Sequence, residues 1–327
     1  MKDEEGSPFG NLSEVEPEKV KWLMWPLIPY GMVTIMEGDP GIGKSFLAMH
    51  IAVQVSIGGG LPMNDKIRRG RVLYMSAEDD PAYTIRPRID AMGGDVERIR
   101  YMANYLSLDE DGIKKLMTEV KENPPNLLII DPLYAYVPSG QDMYRPNVIR
   151  ALLSQLSEVG QYADTAVLII RHLTKSKRDK AIYQGAGSID VIGAARSAYL
   201  VAKHPDDDTI KVVAHIKHNL SEKGQSWQYR LVTKEGNELP VVEWIGPTDL
   251  TAEDPLNASD GGRASALEEA IDFLRDFLKD GPEPAEFVQR EAASKSIADR
   301  TLDRAKEKAK VDARKKGKKW YWSLPKD

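Results

Sequence analysis

Apolar residues recur along this chain in two alternating rhythms. Short runs at 33–36, 72–75, 127–130, 167–170, 198–201 and 210–216 are rich in Val, Ile and Leu with little polar alternation, the pattern of strands buried on both faces. Between several of them lie segments with apolar positions three and four apart, at 45–55, 83–91 and 146–162. The last places Ile149, Leu152, Leu153, Leu156 and Val159 on one helical face. Strands alternating with helices predict an α/β fold with a mostly parallel central sheet over residues 22–245.

On either side the pattern changes. Residues 1–21 are acidic and interrupted by Gly6, Pro8, Gly10 and Pro17, which reads as a mobile lead-in. Residues 246–263 hold few apolar positions and several breakers, which reads as a linker. Beyond it, Leu267, Ile271, Leu274 and Leu278 mark a helix at 266–278, with further helices at 284–292 and 297–309. A turn at Gly317 then joins 311–314 to Trp320-Tyr321-Trp322. Three helices and a hairpin predict a small winged helix-turn-helix domain at 264–327. No internal repeat at solenoid periods is visible.

A length of 327 residues allows one large core and a smaller second one. The absence of Cys excludes a disulfide framework and a thiolate zinc site, and His50, His172, His204, His215 and His218 lack metal-ligand spacing. No apolar run approaches the roughly 20 residues that span a bilayer, and the start Met1-Lys2-Asp3-Glu4-Glu5 is unlike a basic signal peptide. The expectation is a cytoplasmic protein with no membrane partner. A net charge of −5 excludes a uniformly basic binder, but residues 295–319 carry eleven Lys or Arg against four acids. Affinity for nucleic acid therefore points to the C-terminal module.

The most specific signal is Gly38-Asp39-Pro40-Gly41-Ile42-Gly43-Lys44-Ser45, set between a predicted strand and a predicted helix. Glycines let the backbone curl until its N–H groups point inward, the helix N-terminus adds positive dipole, Lys44 reaches the outer phosphates and Ser45 holds Mg²⁺. Asp131 ends the strand 127–130, where it would share Mg²⁺ with Ser45, although Asp131-Pro132 also reads as a plain turn. Glu78 follows the strand 72–75, placed to orient and deprotonate water as a general base; the bland alternative makes Glu78, Asp79 or Asp80 a helix cap. His172 ends the strand 167–170 as a γ-phosphate sensor, or as a surface group. Lys175, Lys177, Arg178 and Lys180 follow it in a loop suited to a nucleic-acid backbone, or to solvent alone.

Together these residues resemble the RecA-like P-loop ATPases, and among them the RepA-like hexameric replicative helicases of plasmids and mobile elements. The resemblance covers 22–245 and rests on GDPGIGKS, SAEDD, LLIIDP, the Arg171-His172 segment, GSIDVIGAARSAYLV and HIKHN. It implies ATP and Mg²⁺ as cofactors, Glu78 as catalytic, and His172 as the link between nucleotide state and the loop behind it. It also implies that the loops at 134–147 and 175–186 face a central channel holding single-stranded DNA. Arg196 would be an arginine finger reaching a neighbouring subunit's ATP, with Lys217 as a second cation in trans. A homo-oligomer, a hexamer by resemblance, and primase or other replication proteins would be its partners. Residues 1–21 stand where many replicative helicases carry a helical N-terminal domain. In the C-terminal module Arg300 and Arg304 would lie on a recognition helix starting near Ser296, and Lys315, Lys316, Lys318 and Lys319 on the wing, for groove entry plus backbone contact; winged helices also serve as protein contacts.

Three functions fit these expectations. The first is a ring-forming DNA helicase or translocase in DNA replication. The second is a nucleotide-switched DNA-binding replication initiator or transcriptional regulator without unwinding activity. The third is a small-molecule kinase, for which the acids after Met75 and the strand-end His172 are unnecessary.

Overall fold

The computed structural model describes residues 10–62, 64–142, 145–173, 190–236, 238–259, 262–295, 297–317 and 319–325. A short hairpin of β1 (Trp22–Met24) and β2 (Ile28–Pro29) leads into β3 (Val33–Gly38), α1 (Lys44–Ile57), β4 (Val72–Ser76), α2 (Arg86–Ala91), β5 (Ile99–Tyr101), α3 (Glu110–Glu122) and β6 (Leu127–Asp131). There follow α4 (Pro146–Tyr162), β7 (Ala166–His172), α5 (Asp190–Ala194), β8 (Ser197–His204), β9 (Asp207–His218), β10 (Ser226–Val232) and β11 (Val241–Thr248). Among the described residues one sheet runs in the order β11-β10-β9-β8-β3-β7-β6-β4-β5. Every neighbouring pair from β8 to β5 is parallel, and β8 to β11 form an antiparallel meander.

The uniformly apolar strands are central because helices cover both sheet faces. Along β7, Leu168 and Ile170 pack with Met36, Leu47 and Ile51 on the side of α1. Val167 and Ile169 turn to the other face, against Ile149, Leu153 and Leu156 of α4. Parallel register then decides where the chemistry goes. Gly38 pairs with His172 and Ser76 with Asp131, so the ends of β3, β4, β6 and β7 share one edge of the sheet.

The chain divides between Ala252 and Glu253 into two compact units. The second holds α6 (Glu253–Ser259), α7 (Gly262–Phe277), α8 (Ala285–Ser294) and α9 (Asp299–Lys308), with a three-stranded antiparallel sheet of β12 (Glu283–Pro284), β14 (Lys319–Ser323) and β13 (Asp312–Lys316). Its core gathers Leu274, Leu278, Val288, Leu302 and Trp322. Gly317, at φ +66°, supplies the left-handed residue that the β13–β14 turn requires.

Three boundaries differ from the expectation. The segment 246–263, read as a linker, carries the end of β11 and the helix α6, and Ala252 and Leu256 are buried. Among the described residues of so short an element the buried ones are the adjacent Asp254, Pro255 and Leu256, which give no helical spacing for periodicity to register. The helix expected from 297 begins at Asp299, and the one expected from 83 opens with a π-turn at Pro81–Ile85. Among the described residues no helix is long and apolar enough to cross a membrane.

Candidate nucleotide-binding site

The loop from Gly38 to Ser45 is a cradle whose shape glycine makes possible. Gly41 and Gly43 sit at φ +74° and +99°, where side-chain-bearing residues are strained, and Gly43 is the residue from which α1 starts. At Gly38 a Cβ would lie 2.2 Å from the backbone oxygen of Val201, so only glycine lets β3 end against β8. Ile42 turns its side chain into the core and leaves its backbone in the loop, while Asp39, Pro40 and Gly41 are exposed. The first N–H groups of α1 have no partner within the helix and carry its positive end.

Lys44 is 3% exposed, and its ammonium spends all three hydrogens locally. Nζ donates to the backbone oxygens of Gly38 (2.8 Å) and Asp39 (2.7 Å) and lies 3.1 Å from Nδ1 of His172. With a cation as donor, Nδ1 is the accepting nitrogen of a neutral ring. Burial pushes Lys44 down to about 8, against the pull of Asp131, Asp39, Glu78 and Glu37. His172 is lowered too, by burial first and by Lys44 second. A buried cation held by weak neutral acceptors suits an anion that would replace them.

Asp131 is buried at the end of β6, where its carboxylate accepts from the Tyr74 hydroxyl at 3.0 Å and from the hydroxyl of Ser45. Burial raises Asp131 to about 6, an effect that both hydroxyls oppose. A hydroxyl and one carboxylate fit Mg²⁺, which is otherwise coordinated by water and phosphate oxygens. Glu78 is exposed beside them, and the hydroxyl of Tyr134 donates to its carboxylate in a short hydrogen bond. That bond, ahead of burial, raises Tyr134 to about 12. Its ring also meets that of His172, with centroids 5.8 Å apart.

The three acids after β4 have separate positions. Asp80 caps the following turn by accepting from the backbone N–H groups of Ala82 and Tyr83 at 2.8 Å, and Asp79 pairs with Arg88 at 3.3 Å. Glu78 alone of the three reaches toward Tyr134.

Three residues near the cradle were not among the expected site residues. Tyr134 leaves no periodic trace, because the turn after β6 aims it. Glu37 and Arg171 do leave one: opposite charges at the ends of two apolar runs. They pair in register across β3 and β7, 3.5 Å apart and almost wholly buried. Burial raises Glu37 to about 7, against the pull of Arg171 and Lys44. Their adjacency to Gly38 and His172 fixes the two strand ends that bracket Lys44.

Arg196 and Lys217 lie elsewhere. The Arg196 backbone N–H donates to Val33, five residues from Gly38 along β3 and therefore about 17 Å from it. Lys217 pairs in register with Ala198 and donates to the backbone oxygens of Ile192 (2.9 Å) and Gly193 (2.6 Å). Burial lowers it, and Arg196 adds to the shift, so the two cations are neighbours. Of the expected nucleic-acid contacts, Lys175, Lys177, Arg178, Lys180 and Lys318 lie outside the described residues. Arg300 and Arg304 are on α9, although nothing of the Arg300 side chain is described, and Lys315, Lys316 and Lys319 stand exposed on β13 and β14.

Residues 3–178 match the AAA domain family, more than half of the chain. The chain belongs to the AAA domain family. The AAA domain match takes in the cradle, Glu78, Asp131, Tyr134 and His172, and with the mostly parallel sheet it makes the first unit a RecA-like P-loop core. The chain is also similar to the DNA repair protein RadA of Streptococcus pneumoniae, 26% identical over 167 residues, which is 50% of this chain and 36% of the relative. The DNA repair protein RadA of Mycobacterium tuberculosis is 30% identical over 149 residues, 44% of this chain and 28% of the relative. This AAA-domain chain thus spans about a third of the length of these curated relatives.

Proposed function

We propose that this AAA-domain protein is an ATP-hydrolysing DNA helicase or translocase that works as a ring, with ATP bound where subunits meet. One observation carries the reading: the two exposed or half-exposed cations Arg196 and Lys217 sit together at the sheet edge away from their own cradle, out of reach of its phosphates. Cations so placed can serve a nucleotide only on another subunit, which makes hydrolysis depend on assembly. The similarity to proteins named for DNA repair supports DNA as the partner, and leaves replication and repair as alternative settings.

Each residue at the cradle then has a task. Lys44 and the loop N–H groups bind the phosphates, and Ser45 with Asp131 holds Mg²⁺, which supplies charge neutralisation at the transferring phosphate. Glu78 takes a proton from the attacking water. His172 loses Lys44 as its partner when phosphate arrives and passes that change to the residues that follow it. Turnover of ATP is expected to rise on adding single-stranded DNA. An unchanged rate in a phosphate-release assay removes the motor reading.

Tyr134 holds Glu78 by its hydroxyl, so Tyr134→Phe lets the carboxylate wander while the cradle stays intact. The expected outcome is a fall in kcat of about tenfold with KM for ATP unchanged, a modest part of what a positioned base contributes. Steady-state kinetics checks it.

A second reading draws on the unit at 253–327. Its helix order, α8 and α9 before the β13–β14 hairpin, suits a winged helix-turn-helix, and its exposed Lys315, Lys316 and Lys319 suit phosphate contact. A nucleotide-switched initiator or regulator would use this unit to read duplex DNA. Such a protein would bind a duplex sequence-specifically and displace no strand, whereas a helicase displaces one directionally.

A further inference from the structure

Trp320 is the odd residue of the second unit's sheet. It sits on β14, the central strand, two positions before Trp322 and therefore on the same face. Trp322 is buried in the core, whereas Trp320 is 53% exposed and stands outside that core. An indole left half in water gives up burial it could have had, and such exposed aromatic surface marks a contact site.

The two indoles line a cavity of about 440 Å³ together with Lys306, Lys319, Glu286 and Gln289. That volume lies in the range of small-ligand sites, which run from about 300 to 1,000 Å³. Lys306 Nζ already lies 4.5 Å from the centre of the Trp322 ring, so cation and aromatic face share one wall. Lys315, paired with Trp320 in register, and Lys316 extend the exposed positive charge along β13.

We infer that this cavity takes one unpaired nucleobase of single-stranded DNA, stacked on Trp320 with its phosphate toward Lys306 and Lys319. Three features select this occupant. Stacking on an indole asks only for a π-face, which every base has. The Gln289 amide both donates and accepts, matching a base edge. A base inside a duplex is stacked on both sides and cannot enter a concave site. The slot belongs to one unit and needs no ATP, so it stands independently of the motor reading.

The test uses the full chain, without ATP, and short oligothymidylate as probe. Binding is expected to quench tryptophan fluorescence, and Trp320→Ala to weaken affinity about tenfold, as expected for loss of one stacked base. Trp320→Phe keeps a ring and is expected to keep most of the affinity while losing the quench from that position. An oligomer lacking its bases is expected to bind wild type as weakly as Trp320→Ala binds oligothymidylate. Because Trp320 is outside the core, circular dichroism and melting of Trp320→Ala are expected to match wild type. Unchanged oligothymidylate affinity in Trp320→Ala overturns the slot, as does an equal loss of affinity for a duplex. If Lys44→Ala retains oligothymidylate binding with the same dependence on Trp320, the slot survives even where ATP turnover proves insensitive to DNA.

Discussion

Replacing Glu78 by Gln is expected to lower ATP turnover by about 10²- to 10⁴-fold, the contribution of a positioned general base, while ATP still binds. The substitution keeps the length and shape of the side chain, and its amide oxygen can still accept from Tyr134. What it loses is a lone pair basic enough to take a proton from water. The cradle is untouched, because Lys44 is anchored by Gly38, Asp39 and His172 and not by Glu78. Lys44→Ala is the contrasting variant, since it removes the buried cation itself, so binding of a fluorescent ATP analogue is expected to fail along with turnover. Two measurements, analogue binding and phosphate release, separate the pair. The nearest rival base is Asp79, which is half-buried and committed to Arg88 at 3.3 Å. Wild-type turnover in Glu78→Gln would transfer the role away from Glu78.

The parts of the site that lie on apolar strands or in the glycine loop were legible in the sequence for a physical reason. A strand buried on both faces must be largely apolar, so the first polar residues after the apolar run announce the sheet edge, as Asp131 does after 127–130 and Arg171 with His172 after 167–170. The phosphate cradle needs glycine at fixed steps because Gly41 and Gly43 adopt positive φ. Other elements carried weaker marks. The helix α3 buries only Gly112, Leu116 and Val120, a stripe one residue wide in a charged surface. Strands β10 and β11 at the sheet's end expose one flank, where Arg230 meets Glu243, so their runs are broken by charge. Tyr134 could not be read at all, since its contact with Glu78, 56 residues away, exists only once β4 and β6 are side by side. The Glu37–Arg171 pair could have been found, because isolated opposite charges ending two buried strands must meet or stay unpaired.

Arg196→Ala is expected to reduce turnover by 10³-fold or more, about the value of an arginine finger, without weakening ATP binding at its own cradle. The reasoning is geometric. About 17 Å of strand separates Arg196 from Gly38, so its guanidinium cannot reach the phosphates held by the same chain, and removing it leaves that cradle whole. Lys217→Ala is expected to cost less, because its ammonium already serves the backbone oxygens of Ile192 and Gly193 and would have to leave them to reach a phosphate. The decisive experiment mixes two inactive proteins. In a ring assembled from equal parts of Arg196→Ala and Glu78→Gln, about one interface in four joins an intact cradle to an intact Arg196 from the neighbour. Activity is expected to return toward that fraction when subunits exchange, although neither protein alone contains a complete site. A mixture no more active than its parents means that Arg196 does not act on a neighbour's ATP, and the boundary between subunits is then not where hydrolysis occurs.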